Sequence, residues 1–460
     1  MFDPKRWLRR FFESPAELLG RTIDSTRRGE HKFFNKAPLR LAEEYFHNLG
    51  PGLTTGAADD DPSGIGTYSQ TGARYGFQLL WLSLFTFPFM AIVQEMCARI
   101  GLVSGHGLAA NIRRHYSPGV LYVVCGLLFL ANTLNIAADL GAMAASTRLL
   151  FPSGNLLLLV VGFAIFSMLL QIYTTYARYA RILKWMSLAL LSYVFSAFAV
   201  HLDWHSALAH TLVPTLTFSR AQLFLLCAIL GTTISPYLFF WQTSQEVEEQ
   251  HRKNGPEHVA RIQEEVHDEG VLRSELRRMR IDVWSGMFLS NLVMFFIIAA
   301  CAATLYAHGI TTIATAAEAA RAIRPFGGEL TYFFFSFGIV GTGLLAVPVL
   351  AGSSAYAIAE SFGWQRGLYH KLTQAYAFYG VIIVSMLVAV AADALGLDPI
   401  KGLIYAAVAN GLIAPVVLFF IVRISSRMKH HPNRPLTTAM GWFITGLMAL
   451  SGVAAIASLF

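Results

Sequence analysis

The sequence predicts an all-α integral membrane protein of eleven transmembrane helices, arranged as two inverted five-helix halves plus one extra helix. Three observations carry that prediction. Of 460 residues, 55% are hydrophobic and only 14% charged, with a mean hydropathy of +0.50, whereas soluble domains carry roughly 25% charged residues. Two apolar segments, the first and the sixth, are interrupted by Pro, Gly and polar residues. And 29 of the 35 Lys and Arg fall on one side of the implied membrane, which fixes orientation.

The apolar segments run over about 48–74 (broken), 76–101, 118–147, 154–172, 183–202, 221–244 (broken), 282–306, 330–355, 373–393, 401–423 and 437–458. Residues 1–47 form a basic segment with ten Lys/Arg, including Trp7-Leu8-Arg9-Arg10-Phe11-Phe12. That segment reads as a cytoplasmic tail or as an amphipathic helix on an anionic membrane face. No signal peptide is visible in it. Residues 48–460 form the membrane domain, with repeat one at about 48–205, repeat two at about 221–424 and the extra helix at 437–458. The Lys/Arg asymmetry places the N-terminus in the cytoplasm, and an odd number of spans then places the C-terminus outside, in a plasma membrane of the bacterial type. The inner loop 246–280, with its Glu-rich runs, reads as a solvated helical connector. Cys97, Cys125, Cys227 and Cys301 all fall inside spans, so buried thiols are expected. The net charge of +7 is a topology signal and implies no nucleic-acid partner; the oligomeric state is unread.

The first span contains Gly50-Pro51-Gly52-Leu53-Thr54-Thr55-Gly56-Ala57-Ala58-Asp59-Asp60-Asp61-Pro62-Ser63-Gly64. Each Asp at the centre of a spanning helix costs about 2.5–3.5 kcal/mol, so three facing lipid would cost on the order of 8–10 kcal/mol. They must face a cavity, a partner or an ion. Pro62 breaks the helix, and such a break survives only where its backbone lines an enclosed cavity. Carboxylates beside freed carbonyls make a cation site. The sixth span repeats the logic in Leu230-Gly231-Thr232-Thr233-Ile234-Ser235-Pro236-Tyr237. Two interrupted spans in corresponding positions of two inverted halves point to a substrate site at the membrane midplane of a secondary transporter.

Other polar groups in spans are weighed individually. Glu95 sits near the inner end of the second span and reads as interfacial or helix-capping rather than as part of a transport path. Asn135 and Asp139 share a face of the third span; Asp139 is too deep to snorkel, which leaves a proton-relay or cavity role beside a structural one. Asn410-Gly411 and Pro415 weaken the tenth span. The small-residue runs Gly338–Gly343 and Gly352-Ser353-Ser354 read as close helix packing, and His430-His431 as a solvated basic patch.

Gly50-Pro51-Gly52 followed by Asp61-Pro62-Ser63-Gly64 resembles the first-span signature of the Nramp divalent-metal transporters, Gly-Pro-Gly … Asp-Pro-Gly-Asn. Gly231-Thr232-Thr233-Ile234-Ser235-Pro236-Tyr237 stands where that family carries Gly-Ala-x-x-Met-Pro-His. Asn135-Ile136-Ala137-Ala138-Asp139-Leu140 resembles its third-span Ile-Ala-Thr-Asp-Leu. The resemblance implies a LeuT-type fold and secondary transport of a divalent cation. It implies metal ligation by Asp61, the carbonyls of Ala58 and Thr232, Ser235, and the position of Gly64. Asp60, Asp59, Tyr237, Trp241, Gln242, Asp139, Asn135 and Asn410 would lie in a second shell or along the ion pathway.

The departures shape the expected substrate. The family's ligand Asn is Gly64, its Met is Ser235, and its two sixth-span histidines are Tyr237 and Gln242. Two third-span carboxylates are Asn132 and Ala142, and a tenth-span Gln is Ile413. Loss of sulfur leaves oxygen donors only, which suit magnesium, calcium or manganese. Smaller residues leave a wider hollow, and magnesium keeps several waters when bound. Nothing in place of the histidines titrates near neutral pH. The reading is uptake of magnesium, partly hydrated, with weak or no proton coupling, as in the Nramp-related magnesium branch. No cofactor is expected beyond the transported ion. A proton-coupled manganese or iron carrier is the alternative, and a symporter for an organic solute on the same scaffold is the second. No enzymatic motif is placed where chemistry occurs.

Overall fold

In the computed structural model, residues 49–217, 219–264, 269–396 and 399–457 are described, and they are helical throughout, with no strand among them. The basic segment 1–47 lies outside them. The first span is two short helices, Pro51–Asp59 and Pro62–Tyr75, broken at Asp60 and Asp61. Among the described residues, ten further helices or helix pairs are long and apolar enough to cross a membrane. The sixth is again broken, between Arg220–Thr233 and Pro236–Asn254. Both breaks therefore fall where Pro removes a backbone donor.

Boundaries moved in three places. The fifth span starts earlier, at Tyr176, and tightens into a 3₁₀ turn at Ser187–Leu190 before ending at Phe198. The eighth, Ala316–Phe362, gains an outer segment that turns at Gly328, whose φ of 78° is open to glycine but costly for other residues. The tenth, Pro399–Arg427, runs on through Pro415. The connector after the sixth span is helical, as expected, but its Glu-rich run is not solvated. Glu246, Glu248 and Glu249 are buried. Glu248 accepts from the Leu368 amide at 2.6 Å and from Tyr356 Oη. At the same end, Glu360 accepts from the Ala110 amide at 3.1 Å and pairs with Arg366 at 3.2 Å. The helical period simply continues past the apolar stretch, and its inward face finds donors.

The seventh span, Glu269–Thr304, is the partner of the first. A Cβ on Gly56 would lie 2.2 Å from the Gly286 carbonyl oxygen, and one on Gly286 would lie 2.1 Å from that of Gly52. The two backbones therefore touch, as small residues allow in membranes. The small-residue runs of the eighth span do the same work: Gly352 lies against the Trp241 ring and Gly343 between Met143 and Pro62. Asn132 donates to Ser353 Oγ and Ser354 Oγ at 3.0 and 2.9 Å, tying the third span to the eighth. Glu95 accepts from Arg280 at 2.7 Å and from Trp284 Nε1 at 2.8 Å, which makes it the interfacial tie its position suggested. All four cysteines are free thiols. His430 and His431 stand 3.4 Å from the Glu269 carboxylate.

Gly286→Val should destabilise the protein by about 3 kcal/mol or more, at the top of the overpacking range. Gly162→Ala, where a Cβ meets nothing, should leave the thermal unfolding midpoint in detergent unchanged. Equal midpoints for the two variants would refute the backbone contact.

Candidate metal-ion site

Each break ends one half-helix and starts another, so carbonyls and amides lose their intrahelical partners there, and the half-helix dipoles terminate at the gap. In the first break, Asp61 caps the second half-helix. Its Oδ1 accepts from the Gly64 amide at 2.6 Å and from Ser63 Oγ at 2.7 Å. In the second break, Ser235 Oγ donates to the carbonyls of Thr232 and Gly231 at 2.7 and 2.9 Å. Tyr237 Oη donates to the Ala58 carbonyl at 2.9 Å and so joins the two breaks. Each of these carbonyls keeps a second lone pair.

The carboxylates are the unusual feature. Asp59 Oδ2 accepts from Ser290 Oγ at 3.0 Å. Asp59 Oδ1, both oxygens of Asp60 and both oxygens of Asp139 are buried without a hydrogen-bond partner among the described residues. Asp139 is close enough to feel the Asp61 charge and the Ser63 amide. Tyr68, buried with an unpartnered hydroxyl, lies beside Thr232 and the three aspartates. At Gly64, a Cβ would sit 3.2 Å from Asp61 Oδ1 and 3.4 Å from the Asp59 carbonyl oxygen, so any side chain there crowds the Asp61 carboxylate. The donor set is hard oxygen, which fits a hard divalent cation.

The other candidates are spread more widely. Asn135 is buried one turn before Asp139. Trp241 is fully buried between Tyr179 and Tyr356, with Nε1 unpartnered. Gln242 Nε2 donates to Glu246 Oε1 at 2.8 Å, further along the sixth span. Asn410 is buried with Oδ1 unpartnered, next to the point where Gly411 meets Gly452 of the eleventh span.

The family described as natural resistance-associated macrophage protein-like, Nramp, matches residues 52–458. The chain belongs to the Nramp family. Among its curated relatives, the divalent metal cation transporter MntH of Aeromonas hydrophila is 25% identical over 414 residues, covering 87% of this chain and 93% of that protein. MntH 1 of Pseudomonas aeruginosa is 26% identical over 434 residues, covering 91% and 92%. The crystal structure of the Eremococcus coleocola manganese transporter superposes with a TM-score of 0.71 at 18% identity, over 93% of this chain and 88% of that one. Mhp1, a nucleobase-cation-symport transporter, follows at a TM-score of 0.58 and 14% identity, over 89% and 91%. These likenesses establish the LeuT-type fold for this Nramp protein.

Sequence reasoning missed a set of residues that build the site from behind. Asp282 accepts from the Gly52 and Leu53 amides at 2.7 and 3.1 Å and so caps the first half-helix. Asp282, Gly286 and Ser290 stand at i, i+4 and i+8, one stripe of the seventh span. They meet the first half-helix at its start, middle and end. Polar and small residues at that spacing in an apolar span were the available signal. Tyr68 and Ser63 gave none, since a lone hydroxyl in a span reads equally as packing.

Asp282→Ala should cost about 1–2 kcal/mol, the range for losing a helix N-cap, read as a lowered unfolding midpoint. A midpoint equal to the parent's would show that the cap carries no stability.

Proposed function

We propose that this Nramp protein is a secondary transporter that takes up a divalent cation, magnesium by preference, carried partly hydrated and with weak or no proton coupling. The observation that carries the reading is the Asp60 carboxylate, fully buried with Ser290 as a nearby hydroxyl but neither oxygen within close hydrogen-bond geometry of a described residue. Burying an ionised carboxylate without a partner is costly enough that such groups normally neutralise or coordinate a metal. A divalent ion held at Asp61, with Asp60 and Asp59 behind it, offsets that cost. The carbonyls of Ala58 and Thr232 and the Ser235 hydroxyl supply further oxygen within the same hollow. Waters complete the shell of an ion that sheds them reluctantly.

The relatives' printed names, divalent metal cation transporter and manganese transporter, support the substrate class. Magnesium is favoured over manganese by the oxygen-only donors and by the space that Gly64 and Ser235 leave. Weak proton coupling is favoured because Tyr237 and Gln242 stand where the family has histidines. Asp139 favours the competing reading of a proton-coupled manganese carrier, since its buried carboxylate has no partner among the described residues and sits within the field of Asp61.

Asp61→Ala should abolish uptake into proteoliposomes while the variant still elutes as a folded protein, its unfolding midpoint lowered only by the roughly 1 kcal/mol of a lost helix cap; parental uptake rates would rule the site out. The double variant Ser235→Met, Gly64→Asn should raise manganese binding relative to magnesium by about tenfold or more, the equivalent of roughly 1.4 kcal/mol. An unchanged ratio by calorimetry would overturn the selectivity account. A pH dye inside the vesicles should stay constant during magnesium uptake, and acidification matched to uptake would favour the proton-coupled carrier.

A further inference from the structure

Away from both breaks, at the end of the bundle that the charge asymmetry assigns to the cytoplasm, residues of the second and seventh spans and of the approach to the eleventh line an open hollow of about 250 Å³. It is lined by Arg99, Arg273, Arg277, Arg280 and Arg434, with Glu95 the acidic residue among the lining. Glu95 is already occupied by Arg280 and Trp284. Arg273 reaches Glu269 only at 3.7 Å. Among the described residues, the side chains of Arg277 and Arg434 have no carboxylate or hydrogen-bond partner. Arg99 is 7% exposed; one nitrogen donates to Asn433, and its Nε is buried without a partner.

Five guanidinium groups around one hollow repel one another, and a buried donor without an acceptor costs free energy. Both costs fall if an anion enters. Guanidinium forks match phosphate oxygens in bidentate geometry. The cavity has the volume of roughly eight waters at about 30 Å³ each, enough for a phosphate and not for a large solute. Its position selects the source of that phosphate. Trp284, on the same wall, stacks edge-on with Phe87, and Phe443 with Phe89. Phe443 is 56% exposed on the outer surface of the bundle. Of these, Trp284 is a residue type enriched at the membrane–water interface, and the cytoplasmic leaflet is the one that carries anionic lipid.

We propose that this cavity is a binding site for the phosphate headgroup of an anionic phospholipid, held by Arg99, Arg277 and Arg434 between the second, seventh and eleventh spans. The lipid bridges the seventh span, which backs the ion site, to the eleventh, and binding therefore stabilises the bundle.

The full chain in neutral detergent is titrated with dioleoyl phosphatidylglycerol, with dioleoyl phosphatidylcholine and with inorganic phosphate, reading the unfolding midpoint. Phosphatidylglycerol should raise the midpoint saturably, and phosphatidylcholine should not. In Arg277→Gln, Arg434→Gln the apparent affinity should fall roughly thirtyfold, from the loss of two interfacial arginines. Arg278→Gln, an exposed neighbour outside the cavity, should bind like the parent. Among the described residues neither substituted arginine has a side-chain partner, so the double variant should fold normally, as its lipid-free midpoint will report. Equal stabilisation by inorganic phosphate would overturn the lipid assignment in favour of a soluble phosphate. Equal response to both lipids, or an undiminished response in the double variant, would overturn the site itself.

Discussion

A helix broken inside a bilayer frees backbone groups that lipid cannot satisfy, and the rest of this structure follows from how the protein satisfies them. The seventh span does most of it. Over two turns its stripe of Asp282, Gly286 and Ser290 follows the nine-residue first half-helix from end to end. At roughly 1.5 Å per residue, eight residues of helix cover about 12 Å, close to the length of the half-helix. Asp282 takes the first amides, the glycines let the two backbones meet, and Ser290 holds Asp59 at the open end. The half-helix is thereby fixed in place, and so is the position of the carboxylates that follow it.

Those carboxylates set the chemistry. Asp61 uses one oxygen to start the next helix. Asp60 and Asp139 have no such internal use. Their burial is tolerable only with protons or a cation present, and that requirement is what the proposed ion binding would meet. The second break is built differently. Ser235 turns its hydroxyl back onto the carbonyls of its own helix, and Tyr237 crosses to Ala58. One break supplies charge and the other supplies carbonyls and the link between them, which is a division of labour between the two repeats.

Away from the midplane, the ends of the spans are joined by buried acidic residues. Glu95, Glu248 and Glu360 each collect donors from another span or loop, from Arg280 and Trp284, from Tyr356 and the Leu368 amide, and from Arg366 and the Ala110 amide. At the arginine-lined cavity the balance reverses, and donors outnumber acceptors. That imbalance is local, because the same end of the bundle holds well-paired carboxylates a short distance away.

The sequence by itself determined the membrane class, the apolar spans, the place of both breaks and the run of three aspartates at the first. Each of these follows from composition or from residues adjacent in the chain: apolar length, Pro and Gly at a break, three aspartates in a row. Glu95 as an interfacial tie and the small-residue runs as packing surfaces were legible for the same reason. Only the tertiary structure decided which groups stand behind the site, because Asp282 and Ser290 are more than two hundred residues from the half-helix they serve. It also decided that the Glu-rich end of the sixth span is buried, since the donors that make burial tolerable come from distant loops. A local pattern reports what a segment must avoid; which partner relieves it depends on what the fold brings alongside.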